Sequence, residues 1–271
     1  LDHNNISYYK AFFYTPSLWS GELDGLLQFV FPKISFDNLE MGTIPSQVRF
    51  GHKIEHIFLM LIQHSRQYQV IAHNIPITKE KVSLGEIDFI LQDIDNQKYV
   101  HIELTYKFYV IYGNAKPIGR QLLGPNLRDS FHAKKERIKN HQIPLLKTSE
   151  ATSVLERFNI KTSELVHQVC FKSQLFIPFT GPNLDLAPFN SNCISGRWIP
   201  FQEFRSRYFF GHRYYLPSKL EWLLDPHNGV DWVSHNDILD MISSGLENKN
   251  SPLIWMKLSD ISMEKLFIVW W

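Results

Sequence analysis

Apolar side chains recur at three- and four-residue steps through Phe50, Ile54, Ile57, Phe58 and Leu61, and this period predicts an amphipathic helix. Ser46 stands before it as the N-cap, and the helix runs to about Gln63. The period then changes. Residues 68–75, 86–92 and 99–112 are strand-like runs rich in β-branched and aromatic side chains, the first bounded by Pro76. Asp95-Asn96, between the second and third, can take the positive φ angles of a tight hairpin turn. A loop carrying Pro117, Gly119, Gly124 and Pro125 leads to a helix over about 128–141, and a further strand is expected at 166–178.

On either side of this block the pattern differs. Residues 1–44 are aromatic and interrupted by Pro16, Gly21, Gly25 and Pro32, and are expected to form a helical wrap over the core. The last third holds dense aromatics between Trp198 and Trp222, a helix signal at 235–244, and strand-like runs at 253–258 and 265–271. No internal repeat appears. These signals predict an α/β protein with a core over residues 1–180 and an aromatic-rich α+β extension over 181–271.

Composition narrows the class. The chain has 271 residues, 44% hydrophobic and 20% charged, which excludes a disordered, collagenous or coiled-coil protein. No apolar run is long enough to cross a bilayer, and the opening Leu1-Asp2-His3-Asn4-Asn5 lacks the order of a signal peptide. Cys170 and Cys193 lie far apart and outside any CxxC pattern, so neither a disulfide framework nor a cysteine zinc site is indicated. A reduced, cytoplasmic protein is expected; its oligomeric state is not legible. Net charge is +1, yet residues 116–147 carry eight Lys/Arg against two Asp/Glu. That local excess suits an anionic partner, or else a solvated helix face.

The hairpin brings two carboxylates together. With Asp95-Asn96 at its tip, paired positions add to 191, as do Asp88 and Glu103. Directly opposed on one face, their Cβ atoms would lie about 5 Å apart. At an effective dielectric near 20 their repulsion costs about 3 kcal/mol. A divalent cation removes that cost, and Mg²⁺ or Mn²⁺ prefers such hard oxygen ligands. The alternative is a cross-strand salt-bridge cluster. By period two, His101, Thr105 and Lys107 share the face with Glu103. Beside carboxylates and a metal-bound water, Lys107 can position that water and stabilise charge on phosphate. On the preceding helix, Glu55 sits at the rim of the apolar stripe, flanked by His52 and His56, where it could complete the metal shell.

Glu55 on a helix, Asp88 in GEIDFI, and Glu103 with Lys107 in HIELTYKFYV resemble the PD-(D/E)XK nuclease superfamily. More narrowly, GEIDFI, ELTYKFYV, GPNLRDSFHAKKERI, NHQIPL, LPSKLEWL and IVWW resemble an uncharacterised bacterial family within it. The resemblance implies a restriction-endonuclease-like mixed sheet flanked by helices and Mg²⁺-dependent hydrolysis of nucleic-acid phosphodiesters. It implies Asp88 and Glu103 as metal ligands and Lys107 as the motif lysine. The usual Glu-x-Lys spacing would place that lysine at Thr105, so Lys107 stands two residues further along the same face.

On the basic helix, one of Lys134 and Lys135 is expected to reach the core edge, and the family motif points to Lys134 for phosphate contact. Arg128, Lys134 and Lys135 are the expected nucleic-acid contacts. Arg197, Arg205, Arg207 and Arg213 alternate with Trp198, Phe204, Tyr208, Phe209 and Tyr214, as in single-strand stacking platforms or in half-buried strands with charged edges. The expected function is a metal-dependent nuclease acting on DNA, and the alternative is a non-catalytic nucleic-acid-binding protein that retains the fold. A protein-interaction module built on the aromatic C-terminal part is a third reading.

Overall fold

The strand Val82–Asp93 pairs antiparallel with Lys98–Ile111 from Asp93–Lys98 to Phe89–Ile102, which is the register the hairpin count foresees. This is a computed structural model, and it describes residues 5–37, 39–113, 115–181 and 184–271. Leu1–Asn4, on which the signal-peptide reading partly rests, lie outside them. The turn differs in detail from expectation. Its tip is Asp95-Asn96, but the left-handed residue is Gln97 at φ 51°. The Asp93 carboxylate accepts from the backbone N–H groups of Asp95 and Asn96 at 3.1 Å each, which fixes the loop length and hence the register.

The protein is α/β: the described residues form a large mixed sheet of nine strands flanked by helices. Its contacts divide it into two compact units, residues 1–106 with 133–172, and residues 107–132 with 173–271.

In the first unit the edge strand Tyr68–Lys79 pairs antiparallel with Val82–Asp93. Pro76 lies inside this strand, paired with Glu86, rather than bounding it. An edge strand tolerates the missing N–H because one side of the ladder has no partner to lose. The helix Phe50–Gln63 buries Ile54, Ile57, Phe58 and Leu61, as the period foresees. Its N-cap is Arg49 rather than Ser46, with no side-chain hydrogen bond. Phe58 packs on Phe89 of the sheet at 4.6 Å between ring centroids, and both are fully buried. Truncating either to Ala would cost about 3–5 kcal/mol.

The amino-terminal wrap is only partly helical. One helix, Asn5–Tyr14, is followed by a short hairpin pairing Glu22–Leu23 with Leu26–Leu27. Bridges Ser17–Lys172 and Gln28–Val169 then lay this segment along the strand Leu165–Pro178. The buried Lys172 ammonium donates to the carbonyls of Phe13 and Thr15, which ties the wrap down.

The basic helix starts at Phe131, three residues later than expected. It runs Phe131–Arg137, passes through a π turn at Ile138–Gln142, and ends with Ile143–Leu145. The Ile143 N–H bonds to the Ile138 carbonyl five residues back. Pro144 supplies the cause: in a regular helix its ring would meet the Asn140 carbonyl and it has no N–H to offer. Leu145 and Leu146 then join Ala151 and Leu155 against Ile77, Ile87 and Ile90, and Thr148 caps the helix Ser149–Glu156 by accepting from the Ala151 N–H at 3.2 Å.

In the second unit, Ile194–Pro200 runs parallel to Ser262–Val269, which pairs antiparallel with Leu253–Ser259. Arg213–Tyr215 closes the edge. The helix His235–Glu247 is capped reciprocally by Ser234 and Asp237. It lays Ile238, Ile242 and Leu246 onto Ile254, Met256, Leu266 and Ile268. Among the described residues no helix is long and apolar enough to cross a membrane.

Candidate functional site

Beyond the Phe89–Ile102 pair the ladder between the two hairpin strands opens. There the Asp88 carboxylate, not a backbone carbonyl, accepts the N–H of Leu104 at 2.8 Å. The side chain of Asp88 thereby turns toward the strand carrying Glu103, on the next position of the shared register. Burial first, and then the Glu103 charge, push the Asp88 carboxyl up to about 8, against the opposing pull of the Leu104 N–H and Lys134. Glu103 is 2% exposed.

Both oxygens of Glu103 are gripped. Lys134 Nζ is 3.0 Å from Oε1, and the Gln142 side-chain amide donates to Oε2 at 3.2 Å. The helix explains how two positions eight residues apart reach one carboxylate. At 3.6 residues per turn they would sit about 80° apart around a regular α-helix. The π turn takes in an extra residue and brings Lys134 and Gln142 back to one side. The Gln142 Oε1 atom is buried and has no partner.

Glu55 accepts from Asn74 Nδ2 at 2.9 Å and lies 2.9 Å from His52 Nδ1. It is near enough to Asp88 for its charge to contribute to that raised pKa. Asn74 sits between the His73–Phe89 and Ile75–Ile87 pairs at φ 50°, a left-handed conformation that Asn tolerates better than most residues. Such backbone strain concentrates at functional sites. Beside Glu55 a cavity of about 230 Å³ opens, lined by His52, His56, His73 and Asn74 among others.

The first unit thus brings together Asp88, Glu103 and Lys134, with Glu55 alongside. Lys135 instead pairs with Asp24, and lies 3.6 Å from Glu136. In the second unit, Lys107 Nζ is 2.7 Å from Asp129, and Arg128 is exposed. His101 is buried against His167, with their Nδ1 atoms 3.4 Å apart. Gln142 and Asn74 were not singled out from the sequence. Gln142 lies in the NHQIPL segment, whose Pro144 was the available signal; nothing local marks Asn74.

Two carboxylates form an all-oxygen donor set that suits Mg²⁺ or Mn²⁺, ions that keep several of their waters. Among the described residues no group of three or more His, Cys, Asp and Glu converges as metal ligands. An ion here would rest on Asp88, Glu103 and water. The Lys134 and Gln142 contacts leave lone pairs on Glu103 and hold its plane, the usual task of groups behind a metal ligand.

A family model described as a domain of unknown function, DUF1853, matches residues 37–269. No curated protein matches the chain, and no solved structure matches it.

Proposed function

The chain belongs to that family, and from the arrangement around Glu103 we propose that it is a metal-dependent phosphodiester hydrolase, a nuclease of PD-(D/E)XK type acting on DNA. One observation carries the reading: two partly or fully buried carboxylates face each other where the ladder opens, with a lysine fixed on one of them. A structural salt bridge needs only one acid for Lys134. The second acid is held protonated by burial and by Glu103, and ionises readily only when a cation takes the proton's place.

Asp88 and Glu103 would hold Mg²⁺ or Mn²⁺, which when bound lowers the pKa of water and screens phosphate charge. Lys134 then takes the place expected of Lys107. Its ammonium, held by Glu103, orients the attacking water and stabilises charge developing on the phosphate oxygens. Gln142 keeps Glu103 in one rotamer, and its unpartnered Oε1 can accept from a water in the site. Glu55, held by Asn74 and His52, adds negative charge that favours the ion.

The pairing of Lys107 with Asp129 favours the second reading, a non-catalytic nucleic-acid-binding protein, because it occupies the lysine that the motif would use. Purified protein incubated with plasmid, linear duplex and single-stranded DNA, and with RNA, separates the two. With Mn²⁺ or Mg²⁺ the first reading expects cleavage that Asp88→Asn and Glu103→Gln abolish without unfolding the protein. Binding without cleavage under any divalent ion moves the assignment to the second.

A further inference from the structure

The segment Arg207–Gly211 of the second unit is a 3₁₀ turn rather than a strand, which changes the meaning of its aromatic and basic residues. With three residues per turn, neighbouring side chains point about 120° apart, so burying the middle one drives both neighbours outward. Phe209 is that middle residue, 2% exposed and packed on Phe204 and Phe179. Tyr208 and Phe210 are left 58% and 57% exposed. A half-buried strand with charged edges accounts for Arg197–Trp198 and Arg213–Tyr214, which lie in strands, but not for Arg207, Tyr208 and Phe210.

Cations lie over the rings that neighbour them. Arg205 lies over Phe201 at 5.9 Å, and Arg197 lies over Phe179 at 5.3 Å, the ring that Tyr208 meets edge-on at 5.7 Å. The opposing acids are few. Glu264 is 3.6 Å from Arg197, and Asp237 is held low chiefly by its hydrogen bonds from Ser234 and, least, by Arg213. Glu203 is the sole acid in the sequence between Arg197 and Arg213. Arg205 and Arg207 are exposed and make no ion pair among the described residues. From Gly211 the turn leads into a cavity of about 400 Å³ whose walls include Arg213, Lys257 and Trp232, with Trp232 Nε1 buried and unpartnered. Lys257 is paired with Asp260 at 2.8 Å, which leaves Arg213 as the wall's more available cation.

We infer that the second unit carries a binding surface for single-stranded nucleic acid, with Tyr208 and Phe210 stacking on bases and Arg205, Arg207 and Arg213 meeting phosphates. Exposed rings beside two arginines that make no ion pair among the described residues, Arg205 and Arg207, match a polyanion with unpaired bases, whose π faces are free only when the strand is single. A duplex offers phosphates but no open base faces. The inference deepens the nuclease reading by naming the form of its substrate, and it rests on that reading only for the link to cleavage.

The test is fluorescence anisotropy with a labelled 20-nucleotide oligo-dT and a duplex of the same length, using the Asp88→Asn protein so that nothing is cut. Tyr208→Ala with Phe210→Ala should weaken single-strand binding about 10- to 100-fold and change duplex binding less than about twofold. Arg205→Ala with Arg207→Ala should shallow the slope of log affinity against log salt by about 1.4, for two fewer phosphates on a single strand. Absence of single-strand binding, or equal loss on both substrates from the aromatic variant, overturns the inference. Wild-type protein that binds the oligonucleotide through these residues but never cleaves it sinks the nuclease reading alone. Cleavage that survives while the aromatic variant binds normally sinks only this one.

Discussion

The Asp88 carboxylate takes the backbone N–H of Leu104 at 2.8 Å, a place that a strand carbonyl would fill in a continued ladder. The same hydrogen bond holds the Asp88 carboxylate against the strand of Glu103, near enough for the two groups to interact electrostatically. Because Asp88 is pushed up to about 8, the metal-free protein holds a proton there at neutral pH. An incoming Mn²⁺ must displace it. Metal affinity should rise about tenfold per pH unit between pH 6 and 8 and level off above. Calorimetric titration at pH 6, 7, 8 and 9 checks this, and Asp88→Asn should bind more weakly and with no such slope. A flat profile in the unsubstituted protein would sink the shared-ion site.

Lys134 and Lys107 divide the positive charge differently from the usual motif. Lys134 sits on Glu103, whereas Lys107 sits on Asp129. Lys134→Ala should slow cleavage about 100-fold or more, and Lys107→Ala less than tenfold. Lys134→Ala also leaves buried Glu103 without its cation and should destabilise the protein by about 2 kcal/mol, discounted because Lys134 is partly exposed. Lys134→Arg should recover the stability more fully than the rate, since a guanidinium is a broader and differently directed donor. Initial rates with saturating Mn²⁺ and urea midpoints measure the two effects separately. Equal rate losses at both lysines would return the catalytic role to Lys107.

His101 and His167 set an acid limit on the fold. Burial, and secondarily His167, hold His101 down to about 3. Between the unfolded value near 6.5 and that value, the unfolded chain takes up a proton that the folded chain refuses. This contribution to stability should thus be full above about pH 6.5 and be lost as pH falls, by up to about 1.4 kcal/mol per unit. His101→Asn should flatten this limb between pH 6.5 and 5, read from urea midpoints at each pH. A limb unchanged by the substitution would assign the acid sensitivity elsewhere.

Gly196 pairs with Lys265 between parallel strands, and a Cβ built on it would come 2.3 Å from the Lys265 carbonyl oxygen. No rotamer relieves a clash with backbone. Gly196→Ala should therefore lower stability by about 3 kcal/mol, visible as a reduced thermal midpoint. Gly211→Ala, with nothing within 4 Å of its added carbon, is the matched control and should change little.

The sequence makes local geometry legible where a few adjacent residues set it. The hairpin register could be counted because Asp93, Asp95 and Asn96 form a self-contained turn whose length does not depend on the rest of the chain. The helical face from Ile54 to Leu61 follows from period alone. The site's far partners were less legible for a physical reason. The choice between Lys134 and Lys135 depends on the rotation of a helix whose start was misplaced by three residues. Gln142 reaches Glu103 only through a change of helical pitch caused by Pro144, and Asn74 reaches Glu55 only through a left-handed backbone inside a strand. The Lys107–Asp129 pair joins residues 22 apart, beyond any local count.

The π turn also bears on how this segment could change length. Seven positions of plain α-helix, two full turns, bring side chains to nearly the same side, as the eight from Lys134 to Gln142 do through the π turn. Dropping one residue between them, together with Pro144, would let the helix relax to regular pitch with the clasp on Glu103 still in phase. A one-residue deletion at this point is thus absorbed by the helix without loss of phase. A relative with a seven-residue interval and no proline there would be expected to keep both hands on the same carboxylate.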